Sequence, residues 1–302
     1  MTAEPQSTEH IDPAWQGLDQ WPAEMIGDRL CQAQLNALQC LQHSNQQIAI
    51  AGRAAAEQLQ QSASGRLIYC GAGSAGAQAC IDGLELPGTF GWPQERLVLS
   101  LAGGWDSFFN FGGATEDDTE LAQQAAETID FKKDDVLIGV SASGSTAYTL
   151  KMMALAQNSG ALTIGICNNA DSAMHNLSSY NIVLNTGPEA IAGSTRMAAG
   201  SAQKIALNSL STLIMAKLGY LYDNLMIRLQ VSNKKLAQRA IGITTQISGC
   251  TKIQAQQYLE ATDYRVPEAV LMTHGLTAAS AQALLEQHRG SLRAALQNTT
   301  QH

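Results

Sequence analysis

Twice in this chain an apolar run ends in a short loop of small residues and then enters a helix-forming stretch: LIYC-GAGSAG at residues 67–76 and LIGV-SASGST at 137–146. Runs that are apolar at successive positions fit strands covered on both faces. Strands alternating with helices imply a parallel sheet with helices on either side. LVLSL, LTIGIC and NIVLN continue the pattern and bring the runs to five. Two loops of this kind, side by side at the carboxyl ends of parallel strands, form the crevice where open α/β sheets bind ligands.

The first loop carries Gly71, Gly73 and Gly76 in G-x-G-x-x-G spacing. Three readings fit: a dinucleotide cradle, a cradle for one phosphate, or a tight turn. A dinucleotide site needs a carboxylate closing the next strand to take the ribose hydroxyls. That strand ends in Leu101 and Ala102. The second loop sets Ser141, Ser143, Ser145 and Thr146 at an expected helix N-terminus, where backbone amides and the helix dipole favour an anion. An N-cap role explains one or two of those hydroxyls but not four. The pairing of this loop with Gly73 and Ser74 favours a single phosphate. A third stretch, GSTRMAAGSAQK at 193–204, also opens a helix and supplies Ser194, Arg196 and Lys204. It reads equally as a capped helix with solvated charges.

Composition narrows the partners. A net charge of −8, with 18 scattered basic residues, argues against an extended nucleic-acid surface. It leaves room for a small anion held by amides and hydroxyls. The six cysteines show no C-x-x-C spacing and the histidines do not cluster, so buried reduced thiols are expected and no metal site. With no apolar stretch long enough to span a bilayer and no leader-like start, a cytoplasmic protein that binds no membrane is expected.

Along the chain, residues 1–22 read as polar and extended, and 23–62 as one or two helices. AQACIDGLEL reads as a helix stopped by Pro87. Glu116, Asp117 and Asp118 are expected in the first turn of a helix, and AQKIALNSLSTLIMAKLGYL forms the last long helix. Residues 245–300 read as short helices. The expected organisation is an N-terminal arm and helix at 1–49, an α/β domain at 50–240 and a small helical region at 245–302.

Taken in order, GRLIYCGAGSAG, DGLELPGTFGWP, ATEDD, IGVSASGSTAY, TIGICNN, GPEAIAGSTRMAAGSAQK, LNSLST and YDNLM resemble the N-acetylmuramic acid 6-phosphate etherases. These belong to the sugar isomerase (SIS) fold group, together with the glucokinase regulatory protein. The resemblance covers roughly residues 50–300. It implies a three-layer SIS-type sandwich with a small C-terminal helical appendage, a phosphorylated amino sugar as substrate, no cofactor or metal, and a homodimer with sites near its interface. The family's E-x-P-x-T-F/Y-G block matches Glu85 with Pro87, Thr89, Phe90 and Gly91, and its A-E-D-D/S block matches Glu116. By this resemblance Glu85 is the acid that protonates departing D-lactate, and Glu116 the base at sugar C2 during cell-wall recycling.

Four positions depart from the family pattern. Ala75 stands where members usually carry a hydroxyl residue, and Ala77, Ser145 and Ala198 stand where they usually carry a cation. The T-E-x-R-N segment that members carry is absent from the first 22 residues. These changes keep two alternatives open: a non-catalytic sugar-phosphate sensor, and a sugar-phosphate isomerase on the same fold.

Overall fold

The five apolar runs are the strands β1 (Leu67–Gly71), β2 (Leu97–Leu101), β3 (Val136–Ser141), β4 (Leu162–Cys167) and β5 (Tyr180–Val183). All pair in parallel, in the order β2-β1-β3-β4-β5. Every residue of β1 and β3 is buried, which is why both read as unbroken apolar runs. From β1 the chain crosses to β2 on one side, and from β3 to β4 on the other, so the order reverses between β1 and β3. Leu67 pairs with Val136 and Gly71 with Val140 across that reversal. The computed structural model describes residues 7–109 and 113–299.

Helices cover both faces of the sheet. On one lie α4 (Thr119–Ile129) and α5 (Ala147–Asn158), whose Ala122, Met152 and Met153 pack with Ile68, Cys70 and Leu137. On the other, α2 (Cys40–Gln61) crosses β3, β4 and β5 through a small-residue face that includes Ala51, Ala55 and Ala56. It follows α1 (Ala23–Leu38), so the expected one or two helices are two. On the α2 side, Tyr69 of β1 donates its hydroxyl proton to Asp82 of α3 (Gly73–Phe90) at 2.7 Å. Asp82 also accepts from Asn208, at 2.6 Å, and Ser211 of α6 (Ala198–Lys217).

The chain divides into two compact units, one of Met1–Gly83 with Glu95–Ser211 and one of Leu84–Gln94 with Thr212–His302. The second contains a short antiparallel hairpin, β6 (Leu221–Tyr222) and β7 (Leu225–Met226), and the helices α7 (Lys234–Ser248), α8 (Lys252–Ala261), α9 (Val266–Thr273), α10 (Ala278–Gln287) and α11 (Leu292–Thr299). Side chains at their starts explain why such short helices hold. Asn233 caps α7, Thr251 and Gln254 form a capping box on α8, and Thr277 caps α10. Their apolar faces share a core around Leu259, Val270 and Leu285.

Five local expectations are corrected. The helix after the first loop passes through Pro87 and ends at Phe90. A proline inside a helix gives up its own N–H bond and crowds the carbonyl four residues back, but its φ is helical, so a helix held by packing can continue through it. The stop comes from Gly91, in the left-handed region at φ 67°, whose N–H bonds to the Pro87 carbonyl at 2.9 Å. Glu116 and Asp117 precede α4 rather than forming its first turn, because Asp118 is the cap. Its extended backbone lets its carboxylate accept from the Glu120 and Leu121 amides. The last long helix begins at Ala198, before the expected start, because Glu189 caps its first amides. Residues 7–20 form three 3-10 turns rather than an extended arm, one of them capped by Asp12 ahead of Pro13; residues 1–6 of the expected arm lie outside the described residues. Finally, four of the six free cysteines are buried, but Cys31 is exposed on the outer side of α1.

Candidate active site

Gly71 and Gly76 pack against each other: a Cβ on Gly71 would lie 2.7 Å from the Gly76 Cα. The outer two glycines thus let the end of β1 touch the first turn of α3. The middle one, Gly73, takes φ 53°, the left-handed conformation that turns the chain into the helix. Ser74 follows in the first turn of α3, half-buried. The spacing that resembles a dinucleotide fingerprint is here a tight strand-to-helix turn.

Glu116 meets this turn. Its Oε1 lies 2.5 Å from where a Cβ on Gly73 would stand. Its backbone carbonyl accepts from the Tyr148 N–H in the first turn of α5, at 3.0 Å. One residue thus ties together the starts of the two helices that follow β1 and β3, at the point where the strand order reverses. Burial pushes the Glu116 carboxyl above the usual glutamate range, and the neighbouring Asp117 charge pushes it the same way.

The four hydroxyls of the second loop form a chain. Thr146 Oγ1 lies 2.8 Å from Ser141 Oγ, which is 3.2 Å from Ser143 Oγ, and Ser145 donates to Ser143 at 3.0 Å. Thr146 occupies the N-cap position of α5 without a side-chain cap bond, so helix capping does not account for its hydroxyl. Ser141 is buried and Ser145 exposed, so the chain runs from the core to the surface.

The third stretch is arranged differently. Glu189, only 1% exposed, accepts from the Ala198 and Ala199 amides at 2.9 and 2.8 Å. The N-terminus of α6 is thus engaged by the chain's own carboxylate. Burial raises the Glu189 carboxyl, while the two amides and the Arg196 charge pull it back. Arg196 is exposed and Ser194 half-buried on the preceding loop. Lys204 lies further along α6, where its charge acts on Asp82. Ala75, Ala77 and Ala198 are all buried.

Glu85 is an exposed residue of α3 that belongs to the second unit, while Glu116 and the hydroxyl loops belong to the first. Asp82 and Glu189 went unnoticed in the sequence. The available signal was slight: Asp82 shares α3 with the exposed Glu85, and Glu189 shares its loop with Arg196, so neither stands out by type or spacing. Among the described residues no group of three or more His, Cys, Asp or Glu side chains could hold a metal ion, and no helix is long and apolar enough to cross a membrane.

A model of the SIS domain matches residues 114–213, and a model of the C-terminal lid domain of glucokinase regulatory protein matches residues 223–266. The N-acetylmuramic acid 6-phosphate etherase of Deinococcus radiodurans is 37% identical over 294 residues, covering 97% of this chain and 96% of that protein. The N-acetylmuramic acid 6-phosphate etherase 1 of Enterococcus faecalis is 37% identical, covering 97% of each. That of Edwardsiella ictaluri is 40% identical over 233 residues, 77% of this chain and 78% of the relative. The resemblance read from the motifs is therefore upheld across almost the whole length, and the chain belongs to the N-acetylmuramic acid 6-phosphate etherase family.

Proposed function

We propose that this protein is a lyase that cleaves the D-lactyl ether of N-acetylmuramic acid 6-phosphate, giving N-acetylglucosamine 6-phosphate and D-lactate in cell-wall recycling. The observation that carries the reading, beside family membership, is the Glu116 carboxyl. It is half-buried, raised in proton affinity and set against the Gly73 turn at the switch point.

The chemistry calls for such a group. In the open-chain sugar the C1 carbonyl acidifies the proton on C2, and a positioned base must still remove it. Glu116 takes that proton. The C2–H electron pair becomes a C2=C3 double bond conjugated with the carbonyl as the C3–O bond breaks. Glu85 gives its proton to the lactate oxygen, which is a poor leaving group as an alkoxide. Water then adds, its oxygen to C3 and a proton to C2, which restores the saturated sugar. One carboxyl that accepts the C2 proton and one that delivers a proton to the leaving oxygen suffice, and neither step requires a metal.

Gly73, Ser74, Ser141, Ser143, Ser145 and Thr146 would hold the phosphate at the two loops, with Ser194, Arg196 and Lys204 on the sugar side. We place the enzyme in the cytoplasm as a homodimer with sites near its interface. The homodimer rests on the family resemblance, and the compartment on the sequence reading given above. Incubating the purified protein with N-acetylmuramic acid 6-phosphate and assaying lactate tests the activity; folded protein that releases none overturns it. A second reading, a non-catalytic sugar-phosphate sensor, draws on the three positions Ala77, Ser145 and Ala198, uncharged where the family usually carries a cation. It predicts thermal stabilisation by a hexose 6-phosphate without lactate release.

A further inference from the structure

Beside the start of α5, the first unit contains a second concavity. A cavity of about 370 Å³ opens between the edge strand β2 and α4, within the size range of small-molecule sites. Its floor is apolar, with Leu121 and Ala125 of α4. Its polar side chains are Ser100, Tyr148, Gln124 and Thr128, the last with its hydroxyl donated to the Gln124 carbonyl. Ser100 Oγ and Tyr148 Oη lie 2.8 Å from each other at the buried end, and Gln124 is exposed on α4. That one bond uses a single hydroxyl proton of the two, so the pair has a further O–H to donate. The Trp105 indole, 52% exposed, stands beside the opening and is buttressed by Phe108 at 6.0 Å between ring centroids. Among the described residues, none that lines it carries a charge.

We infer that this cavity is a binding site for an uncharged pyranose-type sugar, separate from the phosphosugar site. The chemistry selects the class. A rigid indole face offers a stacking surface for the C–H face of a sugar ring, while a primary amide and a hydroxyl pair offer donors and acceptors to its hydroxyls. The absence of any lining cation removes the group that would favour a phosphate, which the SASGST loop is equipped to take instead. The site also touches the candidate catalytic machinery. Tyr148 contributes its phenol to the cavity, and its backbone N–H donates to the Glu116 carbonyl at 3.0 Å.

Equilibrium dialysis of the full chain with labelled N-acetylglucosamine tests this without relying on lactate release. We expect saturable binding that persists in the presence of saturating N-acetylglucosamine 6-phosphate. Trp105→Ala and the exposed Gln124→Ala should each weaken it, the first by roughly tenfold through loss of the stacking face. Both variants should keep the wild-type lactate release measured without added sugar. Absence of saturable binding overturns the site. Binding abolished by the phosphosugar, or left unchanged by both variants, assigns the sugar to the phosphosugar site and overturns it equally.

Discussion

Glu116 Oε1 lies against the Cα of Gly73, so close that a Cβ there would stand 2.5 Å from the carboxylate oxygen. The contact joins the helix start after β1 to the acidic loop before α4 and leaves the carboxyl little freedom to move. Gly73→Ala therefore has two consequences. The left-handed φ of 53° costs a side-chain-bearing residue about 1 kcal/mol or more, and the new methyl displaces the carboxyl. Because a misplacement of about 1 Å can cost on the order of 100-fold in rate, kcat for lactate release should fall about that far, with a smaller change in KM. A variant with wild-type kcat would remove Glu116 from the role of base.

The proton affinity of Glu116 gives a pH prediction. Burial raises it first and the Asp117 charge second. As the base, Glu116 must be ionised, so the acidic limb of kcat/KM follows its titration. Asp117→Asn removes the repulsion and leaves the burial. The limb should then move to lower pH while the plateau stays. A profile unchanged by Asp117→Asn means that another group governs the limb.

The same shift has a stability side. A carboxyl whose folded-state affinity for protons exceeds the unfolded value stabilises the fold below the unfolded pKa, and that contribution is lost as pH rises through the folded pKa. Glu116→Gln removes this dependence. Relative to wild type, its melting temperature should rise from acidic to neutral pH, even as lactate release disappears. Melting curves at several pH values read the difference directly, and one that does not grow with pH contradicts the assigned shift.

The strands and their parallel pairing were legible, most clearly at β1 and β3, which are buried at every position, since burial on both faces writes itself as an unbroken apolar run. The loops were legible for the same reason, each beginning where the run stops. What escaped was set by partners distant in sequence. Pro87 looked like a stop because the packing that carries α3 past it is not local. Glu116 looked like a helix start because Asp118 is identified as the cap only by its extended backbone. Asp82 acquires its place only where Tyr69, Asn208 and Ser211 converge on it. Glu85 and Glu116 were singled out by family motif, since neither composition nor spacing distinguishes them from solvated helix-end acids.

Asp82 is 1% exposed and accepts from three side chains. Asp82→Ala removes the acceptor shared by Tyr69, Asn208 and Ser211. Ser211 keeps the Asn208 carbonyl at 3.3 Å, so the loss falls mainly on the fully buried Tyr69 hydroxyl, and a buried unpaired group costs about 1–3 kcal/mol. A loss of about that size in urea unfolding is expected. Asp82→Asn should cost much less, because its amide oxygen still accepts and the two hydroxyls can rotate to meet its N–H. Equal losses for both variants would show that the charge, rather than the hydrogen bonds, holds the cluster.

Glu189 separates two ways in which a helix start can be used. At α6 the Ala198 and Ala199 amides are already engaged by its carboxylate. A phosphate bound there would have to displace a buried carboxylate that bonds two amides at once, and electrostatics gives no gain in exchanging one anion for another. On the proposed reading, the third stretch would therefore meet a ligand through the Arg196 and Lys204 side chains rather than through its amides. Glu189→Ala should destabilise the protein by about 1–2 kcal/mol through loss of the cap. It should also speed hydrogen exchange at the Ala198 and Ala199 amides and raise KM for the phosphorylated sugar as the start of α6 frays. Glu189→Gln keeps one acceptor and should fall between. If Glu189→Ala instead lowered KM, the vacated amides would themselves be binding the phosphate, and the site would include the α6 N-terminus after all.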